Sequence, residues 1–198
     1  MIRPITLRDD LTHIASLIYA TDPFLFPYIF GKSPLGEPRI EALIALEANS
    51  FSYRMIRGYF DSEGICQGVY IAYNKKNKSN DRDFSAVFKG LRGLWLALKL
   101  LPVAHLLNPP ITNTYYLQNI SVNESSRGQG IGRALLADFY DQAKKKGHAS
   151  VSLDVSLDNP GALRLYVSEG FQRIKKRKIL GLYPVLYYCE KRLDTTTP

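Results

Sequence analysis

A glycine-rich segment between a strand and a helix constrains this chain of 198 residues more than any other feature. Residues 127–132 have the sequence Arg-Gly-Gln-Gly-Ile-Gly. A strand is predicted before it, over Tyr115–Val122, and a helix after it, ending near Lys146, with apolar residues every three or four positions. The first N–H groups of a helix lack intrahelical acceptors, and glycines let an anion approach them closely. The segment therefore predicts a site for a phosphate-rich ligand.

Other interpretations of this segment need weighing. It can be only a flexible turn before a helix. A Walker A loop needs GxxxxGK[ST], and the Lys-Ser/Thr end is missing here. A dinucleotide-binding fold is the stronger rival, because Asp154 follows about 20 residues later on the next predicted strand. That fold uses GxGxxG, however, whereas the glycines here follow GxGxG, and Asp154 lies inside its strand.

A second motif lies downstream of the glycine-rich segment. Residues 159–171 have the sequence Asn-Pro-Gly-Ala-Leu-Arg-Leu-Tyr-Val-Ser-Glu-Gly-Phe, which resembles the N-x-x-A-x-x-L-Y-x-x-x-G-F segment of the GNAT N-acetyltransferases. Residues 127–132 match the R/Q-x-x-G-x-G/A motif of the same family. The resemblance covers residues 115–175, and its two linked motifs identify the chain as a member of this family.

The resemblance implies acetyl-coenzyme A (acetyl-CoA) as co-substrate and no metal. It implies that backbone N–H groups bind the CoA pyrophosphate, that the pantetheine arm pairs with the fourth strand, and that the Val122 N–H supports an oxyanion. Tyr166 stands at the position of the general acid that protonates the leaving thiolate. The implied CoA-binding residues are Ile120, Val122, Arg127, Gly128, Gln129, Gly130, Ile131, Gly132, Arg133 and Asn159.

The predicted elements follow the order β-α-α-β-β-(insert)-β-α-β-α-β-β. This order favours an α/β (α+β) fold with a mixed, mostly antiparallel sheet of about seven strands and about four flanking helices. Residues 1–193 are expected to form a single domain with a frayed tail at 194–198. The strands are predicted at residues 2–8, 53–60, 65–73, 115–122, 149–157, 171–179 and 185–193, and the first two helices at 11–20 and 38–49.

The insertion at residues 74–113 departs from the family, in which a short turn joins these strands. It contains a predicted helix over 84–101. That helix would turn one apolar face inward (Phe84, Phe88, Leu91, Trp95 and Leu98) and its basic residues outward. We weigh three roles for it: a cover over the acceptor groove or a dimer contact, a satellite helix on its own domain, and a membrane-surface helix.

The acceptor site is less defined by the sequence. Residues 21–37 form a predicted loop with four aromatic residues, which either line an acceptor groove or pin the loop to the core. Residues 180–184 form a second apolar loop that would face it. The fourth strand lacks an acid over residues 115–120, so no general base is assigned. Asp22, Glu37 and Glu63 are candidates by location only.

The charge and the cysteine content indicate which partners and which cellular location suit the chain. The net charge of +8 suits an anionic partner, and the basic run at 173–178 either meets a CoA phosphate or forms a solvated face. No nucleic-acid motif is present, so that partner is unlikely on sequence grounds. Two cysteines suit a reduced, cytoplasmic protein, and we expect neither a signal peptide nor a membrane span.

The sequence thus predicts an enzyme that transfers acetyl from acetyl-CoA to a primary amine by direct attack in a ternary complex. The acceptor would be a small-molecule amine or a peptide amine, and the protein could act as a homodimer. The alternative is a CoA-binding regulatory or interaction module of the same fold without turnover.

Overall fold

The computed structural model describes residues 1–74, 82–101, 113–178 and 185–193. The strands in these ranges are β1 (Ile2–Pro4), β2 (Ile56–Phe60), β3 (Cys66–Tyr73), β4 (Tyr115–Val122), β5 (Ser150–Ser156), β6 (Gln172–Arg177) and β7 (Leu186–Arg192). The helices are α1 (Leu11–Tyr19), α2 (Leu25–Phe30), α3 (Glu37–Ile44), α4 (Asp83–Val87), α5 (Leu91–Leu100), α6 (Ile131–Lys145) and α7 (Pro160–Ser168).

The seven strands form one mixed sheet in the order β1-β2-β3-β4-β5-β7-β6. All neighbouring strands are antiparallel except β4 and β5, which are parallel. The predicted fold class is confirmed. β1 lies at an edge of the sheet, where Pro4 needs no hydrogen-bonded neighbour on its outer side. β4 pairs with β5 only from Tyr115 to Leu117, so the two strands part beyond that point.

Two apolar clusters cover the two faces of this sheet. On one face, α6 buries its predicted stripe of Ile131, Leu135, Phe139 and Ala143. The other face packs against α1, α2 and α3, where Asp10 caps α1 by accepting a hydrogen bond from the His13 N–H. Val151, Leu153 and Val155, which alternate along β5, are buried on the α6 side.

An ionic cluster ties α6 to the sheet. Asp138 on α6 accepts hydrogen bonds from Arg57 Nε at 2.6 Å and Arg57 Nη2 at 3.0 Å. The Tyr70 hydroxyl donates to the same carboxylate at 2.7 Å. Because each partner comes from a different element, this cluster fixes the position of α6 relative to β2 and β3.

The structure corrects the predicted helices in three places. The predicted loop at 21–37 contains the short helix α2, and α3 ends at Ile44 rather than near Asn49. The predicted helix at 84–101 is broken into α4 and α5 by Gly90, whose φ of 61° belongs to the left-handed region.

The break at Gly90 also overturns the predicted inward face of the insertion. Phe88 packs in the core, as predicted, but Leu91, Trp95 and Leu98 are exposed. A helix that restarts after a left-handed residue has a new rotation about its axis, so Leu96 is buried in place of these three residues.

Within the described ranges, no helix combines the length and the apolar content needed to cross a lipid bilayer.

Candidate active site

A cleft of about 850 Å³ lies where β4 and β5 part. Its walls come from the open half of β4, the end of β5, the start of α6 and one side of α7. On the far side it is closed by α2 and by residues of the insertion. A strand edge and a helix N-terminus therefore meet in one concave site, the usual setting for a ligand pocket.

The glycine-rich segment adjoins this cleft, and its first and last residues, Arg127 and Gly132, line it. Gly128 and Gly130 have φ angles of 79° and 81°, which L-residues rarely adopt, and a Cβ atom added to either would meet nothing within 4 Å. The first N–H in this region with a backbone acceptor is that of Ala134, which donates to the Gly130 carbonyl at 3.0 Å. Within the described ranges, the N–H groups of residues 128–133 have no hydrogen-bond acceptor. These groups form a cradle that an anion can fill.

Alternation along β4 decides which backbone groups face the cleft. The Asn123 N–H donates to the Gln67 carbonyl at 2.8 Å, next to the pairing of β4 with β3. In an antiparallel pair, every second residue directs its backbone N–H and C=O groups to the same neighbouring strand, so those of Ser121 also point to β3. Ile120 and Val122 therefore direct their N–H and C=O groups to the open edge, where a ligand can pair as an added strand.

Two exposed arginines flank the cradle. Arg127 lines the cleft, and its guanidinium lies 3.8 Å from the Glu124 carboxylate. Arg133 lies on the first turn of α6, 3.9 Å from Glu169. Both contacts are long and solvent-exposed, so they hold the arginines weakly. The arginines can still turn towards a phosphate.

Tyr166 and Asn159 lie on the α7 side of the cleft. The Tyr166 ring packs edge-on against Phe171, with centroids 5.7 Å apart, and its hydroxyl has no hydrogen-bond partner within the described ranges. Burial raises the pKa of Tyr166 above its usual value, so the phenol stays protonated at neutral pH. Asn159 caps α7 by accepting a hydrogen bond from the Ala162 N–H at 3.0 Å.

The aromatic residues of the predicted loop at 21–37 have both roles considered above: some pin the loop to the core and one lines the cleft. Phe26 and Phe30 are buried and contact each other edge-on, so they pin the loop to the core. Phe24 is 56% exposed and lines the cleft. Phe84 and Leu100 of the insertion also line the cleft, so the insertion contributes to its wall. The predicted apolar loop at 180–184 lies outside the described residues.

The three acids considered as bases differ in position. Asp22 lines the cleft, but its Oδ1 accepts hydrogen bonds from the N–H groups of Phe24 and Leu25 and so caps α2. Glu63 is exposed in the turn between β2 and β3, outside the cleft lining. Glu37 begins α3, also outside the lining. Of the residues that the structure describes, no three His, Cys, Asp or Glu side chains gather as a metal site.

An acid that sequence reasoning left aside lies in the cleft. Asp154 on β5 accepts a hydrogen bond from the Tyr116 hydroxyl at 3.0 Å and another from Arg177. The Asp154 side chain is only 9% exposed. The available signal was a single acid within a strand of alternating apolar and serine residues. Arg177 also corrects one reading of the basic run, because its side chain is buried and belongs neither to a solvated face nor to a phosphate site.

Comparison with known proteins agrees with this geometry. The model of the Acetyltransferase (GNAT) family matches residues 94–171, which hold the cradle, the open edge of β4 and Tyr166. This segment of the chain is therefore similar to the GNAT family. The match leaves residues 1–93 to be judged by structure, and there the order of strands and helices agrees with the GNAT fold.

Individual GNAT proteins resemble parts or all of the chain. The [ribosomal protein bS18]-alanine N-acetyltransferase of Escherichia coli (strain K12) is 40% identical over 68 residues, which make up 34% of this chain and 45% of that protein. The N-alpha-acetyltransferase RimI of Mycobacterium tuberculosis is 42% identical over 64 residues, 32% of this chain and 39% of that protein. The chain thus matches less than half the length of these curated relatives.

A solved structure extends the likeness to the whole fold. The N-acetyltransferase from Staphylococcus aureus Mu50 superposes with a TM-score of 0.74 at 20% identity, covering 96% of this chain and 100% of that one. At that identity the likeness concerns the GNAT fold alone.

Proposed function

We propose that this protein transfers the acetyl group of acetyl-CoA to a primary amine by direct attack in a ternary complex. One observation carries the proposal: an open strand edge and the Tyr166 phenol line one cleft, and the cradle adjoins it. Among the described residues, neither the cradle N–H groups nor this phenol has a hydrogen-bond partner. These three features match the three parts of the donor in order, from pyrophosphate through pantetheine to thioester.

The cradle suits the CoA pyrophosphate. Backbone N–H groups of Gly128, Gln129, Gly130, Ile131, Gly132 and Arg133 would donate to its oxygens at the positive end of the α6 dipole. Arg127 and Arg133 would add charge. Gly132 leaves the approach to Val122 open, since even an added Cβ would stay 3.8 Å from the Val122 Cγ2 atom.

The open edge of β4 suits the pantetheine arm. Ile120 and Val122 would exchange backbone hydrogen bonds with its amides, as a neighbouring strand does. Asn159 has its Oδ1 committed to capping α7, so only its amide nitrogen would reach the arm. The acetyl carbonyl would then lie near Val122, whose N–H can stabilise the oxyanion.

Tyr166 would act as the general acid. When the amine attacks, the C–S bond breaks and the thiolate needs a proton. Because burial raises its pKa, the Tyr166 phenol is protonated at neutral pH, and it has no hydrogen-bond partner among the described residues, so it can supply that proton in the cleft.

The acceptor class to test first is a peptide amine. The Escherichia coli relative is named for the alanine of ribosomal protein bS18, and the wide cleft leaves room for a chain end. Phe24 and Leu186 would contact the apolar part of the acceptor. Small-molecule amines belong in the same screen.

The alternative is a CoA-binding module without turnover. The observation that favours it is that residues 118–122, the open half of β4, contain no acid. Thiol release from acetyl-CoA over a panel of peptide and small-molecule amines separates the two. The enzyme predicts amine-dependent thiol release, whereas tight CoA binding with no release for any amine would support the module.

A homodimer and a cytoplasmic location remain predictions. The exposed face of α5, with Leu94, Trp95 and Leu98, is the surface that we propose for self-association. Light scattering should then give a dimer mass for the protein and a monomer mass for a Leu94→Glu, Leu98→Glu variant. A monomer mass for the unaltered protein would contradict this proposal without affecting the catalytic one.

A further inference from the structure

Asp154 lies at the point of the fork between β4 and β5. Leu153 is the last residue of β5 that pairs with β4, and Asp154 directly follows it. Because strand residues alternate, Asp154 turns away from the α6 side, where Leu153 and Val155 are buried. The residue lines the cleft.

The two oxygens of this carboxylate differ. Oδ2 accepts hydrogen bonds from the Tyr116 hydroxyl and from Arg177. Oδ1 is buried and accepts no hydrogen bond from the described residues. A buried acceptor without a donor costs about 1 to 3 kcal/mol, so this oxygen favours a ligand that brings an N–H group.

We infer that Asp154 is the catalytic base that accepts the proton of the attacking amine, directly at Oδ1 or through one water. This inference rests on the proposed acetyl transfer. No other carboxylate competes among the described cleft residues, because Asp22 caps α2 and Asp158 follows the end of β5 in an exposed turn.

The proton inventory balances. The amine nitrogen attacks the thioester carbon, the C–N bond forms and the C–S bond breaks. The amine proton passes to Asp154, and the Tyr166 hydroxyl proton passes to the CoA thiolate. After amide and CoA leave, Asp154 loses its proton to water and Tyr166 regains one.

The electrostatics of the site support this role. Burial raises the pKa of Asp154 to about 6, and the neighbouring Arg177 only partly opposes that rise. A carboxylate with this pKa is ionised at neutral pH yet holds a proton better than an exposed aspartate. The titratable or charged groups around it are Tyr116 on β4, Tyr188 and Cys189 on β7, and Arg177 on β6 beyond β7.

The proposed role of Asp154 as a base predicts that activity falls at acid pH. The base works when deprotonated, so kcat/KM should show an additional loss below pH about 6, beyond the loss caused by protonation of the amine itself. Asp154→Asn should lower kcat/KM by about a hundredfold and remove that additional loss. Its Kd for CoA should stay within about twofold, since the cradle is untouched.

Arg177→Gln distinguishes catalysis from support of the sheet. It breaks the same ion pair but keeps the carboxylate, and losing the positive neighbour raises the Asp154 pKa further. We expect the additional loss of kcat/KM at acid pH to begin at a higher pH in this variant. At pH values above that loss, the variant should keep its rate. Tyr116→Phe removes the hydroxyl that donates to Asp154 and should also move the additional acid loss of kcat/KM to higher pH. This variant replaces Arg177→Gln in the test if Arg177→Gln does not fold.

Two outcomes would overturn the inference while thiol release by the unaltered enzyme persists. One is an Asp154→Asn enzyme with its rate and pH profile unchanged. The other is an equal loss of rate in all three variants, with the acid loss of kcat/KM at an unchanged pH. That pattern would indicate a structural ion pair. An unaltered protein that releases no thiol with any amine would instead contradict the proposed function.

Discussion

Leu117 on β4 and Leu153 on β5 are the last paired residues of these two parallel strands. Beyond them β4 keeps its partner β3 while β5 stays with β7, so a cleft opens in the middle of the sheet. The cradle, the open strand edge and Tyr166 all surround that opening. The proposed chemistry therefore depends on a defect in strand pairing as much as on any side chain.

Substitution of Gly130 should weaken CoA binding. Alanine at its φ of 81° costs about 1 to 2 kcal/mol in strain, and relief of that strain would tilt the cradle N–H groups away from the pyrophosphate. We expect Gly130→Ala to raise the Kd for CoA about tenfold or more by calorimetry, as loss of one hydrogen bond to a charged group would.

Gly147→Ala is the matched control for that change. Gly147 also has a positive φ, 76°, with open space around it, but lies at the other end of α6. It should lose similar stability in urea and bind CoA normally. Equal CoA affinities for the two variants would contradict the assignment of the cradle.

Removal of the Tyr166 hydroxyl should slow chemistry and spare binding. Tyr166→Phe keeps the ring against Phe171 and removes only the proton donor. We expect kcat to fall about a hundredfold, with the KM for acetyl-CoA within about twofold. Tyr140→Phe, whose hydroxyl contacts Glu169 at 3.5 Å outside the cleft lining, should keep the full rate. An unchanged kcat for Tyr166→Phe would remove the general-acid assignment.

The Asp138 cluster should matter for stability. Asp138→Ala leaves Arg57 and Tyr70 without their shared acceptor under α6, at a cost of about 2 to 4 kcal/mol. Urea denaturation measures this loss, and Asp141→Ala on the exposed side of the same helix should cost less than about 0.5 kcal/mol. Similar midpoints for both variants would show that the cluster does not anchor α6.

Asp9 should make stability depend on acid pH. Its hydrogen bonds with Arg3 and Thr6 lower its pKa from 3.8 to about 2, so its stabilisation is complete above pH about 4 and is lost as pH falls towards 2. Asp9→Asn should cost about 1 to 2 kcal/mol at pH 7, and the difference from the unaltered protein should vanish near pH 2. A constant difference at all pH values would contradict the linkage.

Much of the site could be predicted because its signals are local. The spacing of Ile131, Leu135, Phe139 and Ala143 depends only on helical periodicity, and the structure buries all four. The strand at 115–122 is local in the same sense.

The rest depended on contacts between distant segments. Asp154 meets Arg177 only because β7 lies between β5 and β6 in the sheet, and no periodicity reports that order. Gly90 interrupts an apolar repeat that alone predicts one continuous helix, so the outward turn of Trp95 was missed. Short helix α2 arises where Phe26 and Phe30 find the core, another tertiary effect.

Direct transfer in a ternary complex is tested most directly by mass spectrometry with acetyl-CoA carrying a deuterated acetyl group. The protein is mixed with this donor and an alanine-ended peptide, alongside the small-molecule amines, and quenched within the first turnover. Direct transfer predicts fully labelled N-acetyl product and an unmodified protein at every time. Labelled acetyl on the protein that decays into product, or label that never reaches any amine, would contradict it.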